Sequence, residues 1–237
     1  MLVRVLSRVV CAIGVAACLG PDLAHAHGVA GGDQRFIEGV AGSQIVPFMY
    51  LGAKHMVTGY DHLLFLVGVI FFLYRMRDVL LYVSLFSLGH SLTLLFGVLS
   101  GAHVDPYAID AIIGLSVVYK GLDNLGALRR WLGFQPDARA AVLVFGLCHG
   151  FGLATKLQDF SLSPDGLVGN IVSFNVGVEI GQILALALVL IGMGFWRRTE
   201  AFARHARAVN VGLVVAGLTL AAYQVSGYFG VQFGGTP

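Results

Sequence analysis

Six stretches of this 237-residue chain are long and apolar enough to cross a bilayer, over approximately 52–74, 79–100, 107–127, 138–157, 167–195 and 208–230. A hydrocarbon core of roughly 30 Å takes about 20 helical residues to span. Within it every backbone N–H and C=O must be bonded internally, so apolar stretches of this kind fold as helices. The connections are short, which predicts antiparallel neighbours in one bundle. The expected fold is an all-α membrane protein, a six-helix transmembrane bundle over 51–232. The fifth stretch exceeds the need and is expected to tilt or to extend into the interface. Composition agrees, with 57% hydrophobic and 12% charged residues and a mean hydropathy of +0.81. The formal net charge of +2 is too small for a nucleic-acid partner, and the lipid bilayer is the expected surrounding.

The first 26 residues read as a secretory signal peptide. Arg4 and Arg8 form the basic region, Val9 to Leu19 the apolar stretch, and Ala24-His25-Ala26 a small-x-small cleavage site. Cleavage there leaves His27 as the new N-terminus and residues 27–50 as a short exported leader. A lipobox-like Val15-Ala16-Ala17-Cys18 is the rival, although Ala24-His25-Ala26 sits at the more usual distance. Cys11 and Cys18 depart with the signal. The remaining Cys148 has no partner for an internal disulfide. Arginines then orient the bundle. Arg75 and Arg77, then Arg129, Arg130 and Arg139, then Arg197, Arg198, Arg204 and Arg207 all fall in loops on one side. The alternate loops carry Asp105, Asp159 and Asp165. The arginine side is expected to be cytoplasmic, with both mature termini on the exported side of the cytoplasmic membrane.

Polar groups interrupt four of the apolar segments at similar depth. They are His55 with Asp61-His62, Ser87 with His90-Ser91, His149 between Gly146 and Gly150, and Asn175 with Glu179 and Gln182. An ionisable side chain at the bilayer centre costs roughly 2.5–3.5 kcal/mol on insertion scales, and four such segments together imply a bundle interior that handles an ion. Counting about 1.5 Å per residue places His62, His90, His149, Asn175 and Glu179 near one plane at mid-membrane. Helical spacing puts His55, Gly59 and His62 on one face, with Asp61 about 100° away. Ser87, His90 and Ser91 share a second face, and Asn175, Glu179 and Gln182 a third. Any one intramembrane histidine is as readily an interhelical hydrogen bond. Lys120 and Asp123 are expected to neutralise each other, and His103 and His205 to be solvated.

The set His55…Gly59-x-Asp61-His62, Gly89-His90-Ser91-Leu-Thr93, Phe145-Gly-Leu-x-His149-Gly-Phe-Gly152 and Phe174-Asn175-x-Gly-Val-Glu179-x-Gly-Gln182 resembles the HupE/UreJ family. The resemblance extends over about residues 50–230. Five residues separate His55 from Asp61-His62, the spacing of that family, where the larger nickel/cobalt permease group has four. The family comprises bacterial membrane proteins linked to hydrogenase and urease accessory functions, generally regarded as nickel or cobalt permeases. The resemblance therefore implies metal handling, with nickel as the leading ion. The residue chemistry independently suits borderline divalent ions such as Ni²⁺, Co²⁺, Zn²⁺ or Cu²⁺, and the lack of a Cys or Met cluster argues against Cu(I).

The expected function is a divalent-metal permease. His62, His90 and His149 would bind at the midplane, Asp61 and Glu179 would neutralise the ion or order the imidazoles, and His27 and His55 would capture it. Asn175, Gln182, Ser87 and Ser91 would support the site. The alternatives are an intramembrane metalloenzyme, with the same ligands around a fixed ion and Glu179 as base, and an accessory protein for metalloenzyme assembly with maturation partners.

Overall fold

The computed structural model describes residues 42–158 and 163–233, together with Ile37 and Gly39. The expected signal peptide, His27 and most of the leader lie outside the described residues. Eight helices and no strands are found among the described residues: α1 (Ile45–Thr58), α2 (Tyr60–Ile70), α3 (Met76–Ser100), α4 (Pro106–Asn124), α5 (Ala127–Leu132), α6 (Ala138–Gln158), α7 (Leu167–Trp196) and α8 (Glu200–Phe233). Four of them, α3, α6, α7 and α8, are long and apolar enough to cross a membrane. The chain is an all-helical membrane protein.

The helix count differs from the expected six for two local reasons. The first apolar stretch is broken at Gly59, whose backbone leaves the helical region at ψ 93°, so α1 and α2 are separate. A Cβ at Gly59 would crowd His62 Nδ1 and the His55 carbonyl. The second reason is α5, a short helix between glycines 126 and 133, both at positive φ. Helix starts elsewhere follow capping chemistry. Asp105 accepts a hydrogen bond from the Ala108 N–H ahead of Pro106 in the first turn of α4. Asp137 accepts from the Ala140 and Arg139 N–H groups at the start of α6, and these bonds hold its carboxyl below the usual carboxylate range.

Three close helix pairs build the bundle: α1 with α7, α3 with α6, and α4 with α8. Each is made where glycine lets one backbone touch the other. A methyl at Gly177 would overlap the Met49 carbonyl, and one at Gly181 would meet Ala53. At Gly146 it would overlap the Phe86 carbonyl, and at Gly150 the His90 carbonyl. At Gly114 it would meet Ala221, and at Gly121 it would meet Asn210 and Val214. In lipid, such close packing is a main source of helix association. The register corrects the expected neighbour relation. Residue numbers rise together along α1 and α7, and along α3 and α6, so these pairs are parallel. Only α4 and α8 run antiparallel. Chain order alternates in direction, but glycine faces rather than short loops choose the closest partners.

Helix α2 occupies the centre, with Phe65, Leu66 and Ile70 fully buried. Its C-terminal end is gripped from α7: the Arg197 guanidinium donates to the carbonyls of Leu73 (3.0 Å), Phe71 (2.8 Å) and Ile70. Asn124 Nδ2 donates to the Gly68 carbonyl and to Asn210 Oδ1, both at 2.8 Å, tying α4 to α2 and α8. Lys120 and Asp123 pair at 2.5 Å. Substituting Gly177 by Leu is expected to lower thermal stability in detergent by roughly 1–3 kcal/mol of overpacking. Gly192→Leu on the same helix, where an added Cβ meets nothing, is expected to leave the melting temperature unchanged.

Candidate metal centre

The break at Gly59 sets the site. It ends α1 just after His55 and begins α2 just before Asp61 and His62. The Gly59 N–H closes the last turn on the His55 carbonyl at 2.9 Å. Asp61 thereby falls in the first turn of α2, where the helix dipole favours a carboxylate. Its Oδ1 accepts from His62 Nδ1–H at 3.0 Å, and the two side chains are 2% and 0% exposed.

Three imidazoles from three other helices converge on His62. Its ring centroid lies 4.8 Å from His149, 5.2 Å from His55 and 5.8 Å from His90. One donor nitrogen each from His55, His62 and His90 lies within 4.8 Å of the others. Donors around an ion at about 2.1 Å stand about 3–4 Å apart, so modest rotation of the rings would close this set. His62, His90 and His149 are fully buried.

The tautomers are set by neighbours. His149 Nδ1 lies 2.6 Å from the Phe145 carbonyl, which only accepts, so Nδ1 carries the proton and Nε2 keeps its lone pair. Asp61 makes the same assignment at His62. A ligating histidine commonly has its other nitrogen fixed in this way. Among the described residues neither nitrogen of His90 has a hydrogen-bond partner, and His55 Nε2 and His149 Nε2 have none either. Buried polar atoms left unbonded cost roughly 1–3 kcal/mol each, and here they lie in one cluster. Phe86 and Phe65 wall it, with Phe86 5.0 Å and Phe65 5.5 Å from the His149 ring, and Phe174 stands 5.9 Å from His55.

The structure thus brings together His55, Asp61, His62, His90 and His149 and leaves the α7 group apart. Gln182 is buried but accepts from Ser87 Oγ at 2.9 Å and reaches the Val83 carbonyl, forming a tie between α3 and α7. Asn175 is buried with Oδ1 unpartnered, and Ser91 is half-buried. Glu179 is exposed. It lies about 40° round the helix from Asn175, which carries it out of the buried face onto the exposed side of α7. His27 lies outside the described residues.

Two features escaped the sequence reading. The aromatic wall looks like any apolar packing in one dimension. An ion pair between Lys156 and Asp110, 2.7 Å apart and largely buried, was legible only in part: Lys156 follows His149 by seven residues and so shares its face of α6. No curated protein and no solved structure is significantly similar to the chain. A family model described as HupE / UreJ protein matches residues 32–230, and with its motif histidines gathered in one place, the chain belongs to the HupE/UreJ family.

Proposed function

We propose that the chain is a divalent-metal permease of the nickel/cobalt type, with His55, His62, His90 and His149 as the metal-handling groups and Asp61 positioning His62. The observation that carries this reading is the convergence of four imidazoles, of which His55, His90 and His149 hold buried nitrogens without a hydrogen-bond partner among the described residues. Imidazole with a nearby carboxylate suits borderline divalent ions, and nickel is favoured by the family resemblance. In this reading α1 and α2 together make one broken span. With α3, α4, α6, α7 and α8 it completes six crossings of the cytoplasmic membrane behind a cleaved signal. The arginine loops face the cytoplasm. The ion is cargo, drawn from the exported side past His55. A second reading, a metalloenzyme holding its ion permanently, is favoured by the full burial of His62, His90 and His149 beside Phe65 and Phe86.

Metal accumulation in cells with and without the protein tests the permease reading, and equal uptake of every divalent metal in both would refute it. Metal that survives purification and chelation at stoichiometric level would select the enzyme instead. His62→Ala and His90→Ala are each expected to abolish metal binding while inserting normally. Asp61→Asn is expected to weaken it about 10–100-fold, through loss of the imidazole's orienting partner. Equilibrium dialysis against nickel or zinc reads both.

Protons compete with metal for imidazole, so apparent affinity is expected to weaken as pH falls. Glu179→Gln is expected to leave both affinity and this pH dependence unchanged, because the carboxylate stands on the exposed side of α7. A marked loss would return Glu179 to the site. A cysteine placed in the Arg129–Arg139 loop is expected to resist impermeant thiol reagents added outside, and one beside His103 to react. The opposite pattern inverts the orientation.

A further inference from the structure

Beyond the histidine cluster stands a second set of charges that the proposed function does not use. Lys156 Nζ lies 2.7 Å from Asp110 Oδ2, with side chains 17% and 7% exposed. The other carboxylate oxygen, Asp110 Oδ1, is buried and has no hydrogen-bond partner among the described residues. The comparable pair on α4 is differently built: there Asp123 spends one oxygen on Lys120 and the other on Gln135 Nε2. Asp110 therefore keeps a vacant acceptor where Asp123 does not.

Position gives the vacancy a meaning. Lys156 lies about 10 Å along α6 from His149 and about 20° round it, toward the α6–α7 connection. Gly152 lies between the two levels on α6, and a Cβ there would come within van der Waals contact of Asp110 Oδ1. The pair and the cluster are thus successive polar levels in one part of the bundle. A buried carboxylate needs a compensating cation, and a lysine on a flexible four-carbon stem is one that can leave. Lys156 is half-buried and near the end of α6, within reach of the interface.

We propose that Asp110 and Lys156 form a second divalent-cation site, the step between the exterior and the histidines. An arriving ion takes the Asp110 carboxylate, and the Lys156 ammonium, which holds that place in its absence, swings outward. A cation faces the Asp110 carboxylate before and after the exchange, so the carboxylate is never left bare, while the net charge of the site rises by two when the ion enters. This rests on the cluster being a metal site, as proposed above.

The test is equilibrium dialysis of the full chain in detergent against zinc chloride, and separately nickel chloride. Lys156→Gln removes the tethered cation and is expected to bind one equivalent more than wild type at the same metal concentration. Removing a like charge a few ångströms from the ion should tighten that equivalent at least about tenfold. The Asp110→Asn/Lys156→Gln double variant is expected to lose the extra equivalent and keep the one held by the histidines. Lys156→Met provides the same comparison if the amide prevents folding. Wild type itself is expected to take a second, weaker equivalent at high zinc that the double variant lacks. Identical stoichiometry and affinity in wild type and double variant would overturn the proposal. Failure of the histidine site reads differently, as a missing tight equivalent in wild type that His62→Ala and His90→Ala do not alter.

Discussion

At Gly146 and Gly150 the backbone of α6 comes so near α3 that a methyl group would strike the Phe86 and His90 carbonyls. That approach places His90 and His149 in reach of one another, and both in reach of His62 on the central helix. A larger residue at either glycine would hold the helices apart by the width of a side chain, and the imidazoles with them. The same device recurs between α1 and α7, and this pair carries His55 to the cluster. Packing at glycine is thus the source of the site's geometry as much as of the bundle's cohesion.

A low-dielectric interior imposes a second discipline. Asp61 is bonded to His62, Asp110 to Lys156, Asp123 to Lys120 and Gln135. Arg197 is spread over the Ile70, Phe71 and Leu73 carbonyls at the end of α2, the first of which also accepts from the Leu73 N–H. The densest group of departures from this economy lies at the histidines. His55, His90 and His149 hold nitrogens without hydrogen bonds, around His62, where an ion would supply what protein groups do not.

Much of this was legible in the sequence. The apolar stretches gave α3, α4, α6 and α7 to within a few residues, because hydrophobicity over about 20 residues reports directly on the spanning helix. His62, His90 and His149 were set at one level by depth, an axial coordinate that a residue count supplies, and His55 was set on the face of His62 by helical spacing. Azimuth is harder. Glu179 shares the level of Asn175 and Gln182, but a rotation of about 40° separates a buried face from an exposed one, and no count along the chain resolves that. Pairing was also hidden. Short loops suggest antiparallel neighbours, whereas glycine positions on distant helices make α1 with α7 and α3 with α6 parallel. Asp110 went unnoticed because it sits one turn into α4, where a carboxylate ordinarily faces water.

The hydrogen bond from Ser87 to Gln182 joins α3 to α7 across a contact that is otherwise light. On one side of that seam α7 is locked to α1, and Arg197 fastens it to the end of α2. On the other, α3 is locked to α6. His55 thus rides on the α1–α7 pair and His90 and His149 on the α3–α6 pair, with His62 on the central helix between them. In the proposed reading, an ion held by these imidazoles would join the two pairs across the seam, a clasp placed where the helices themselves touch least.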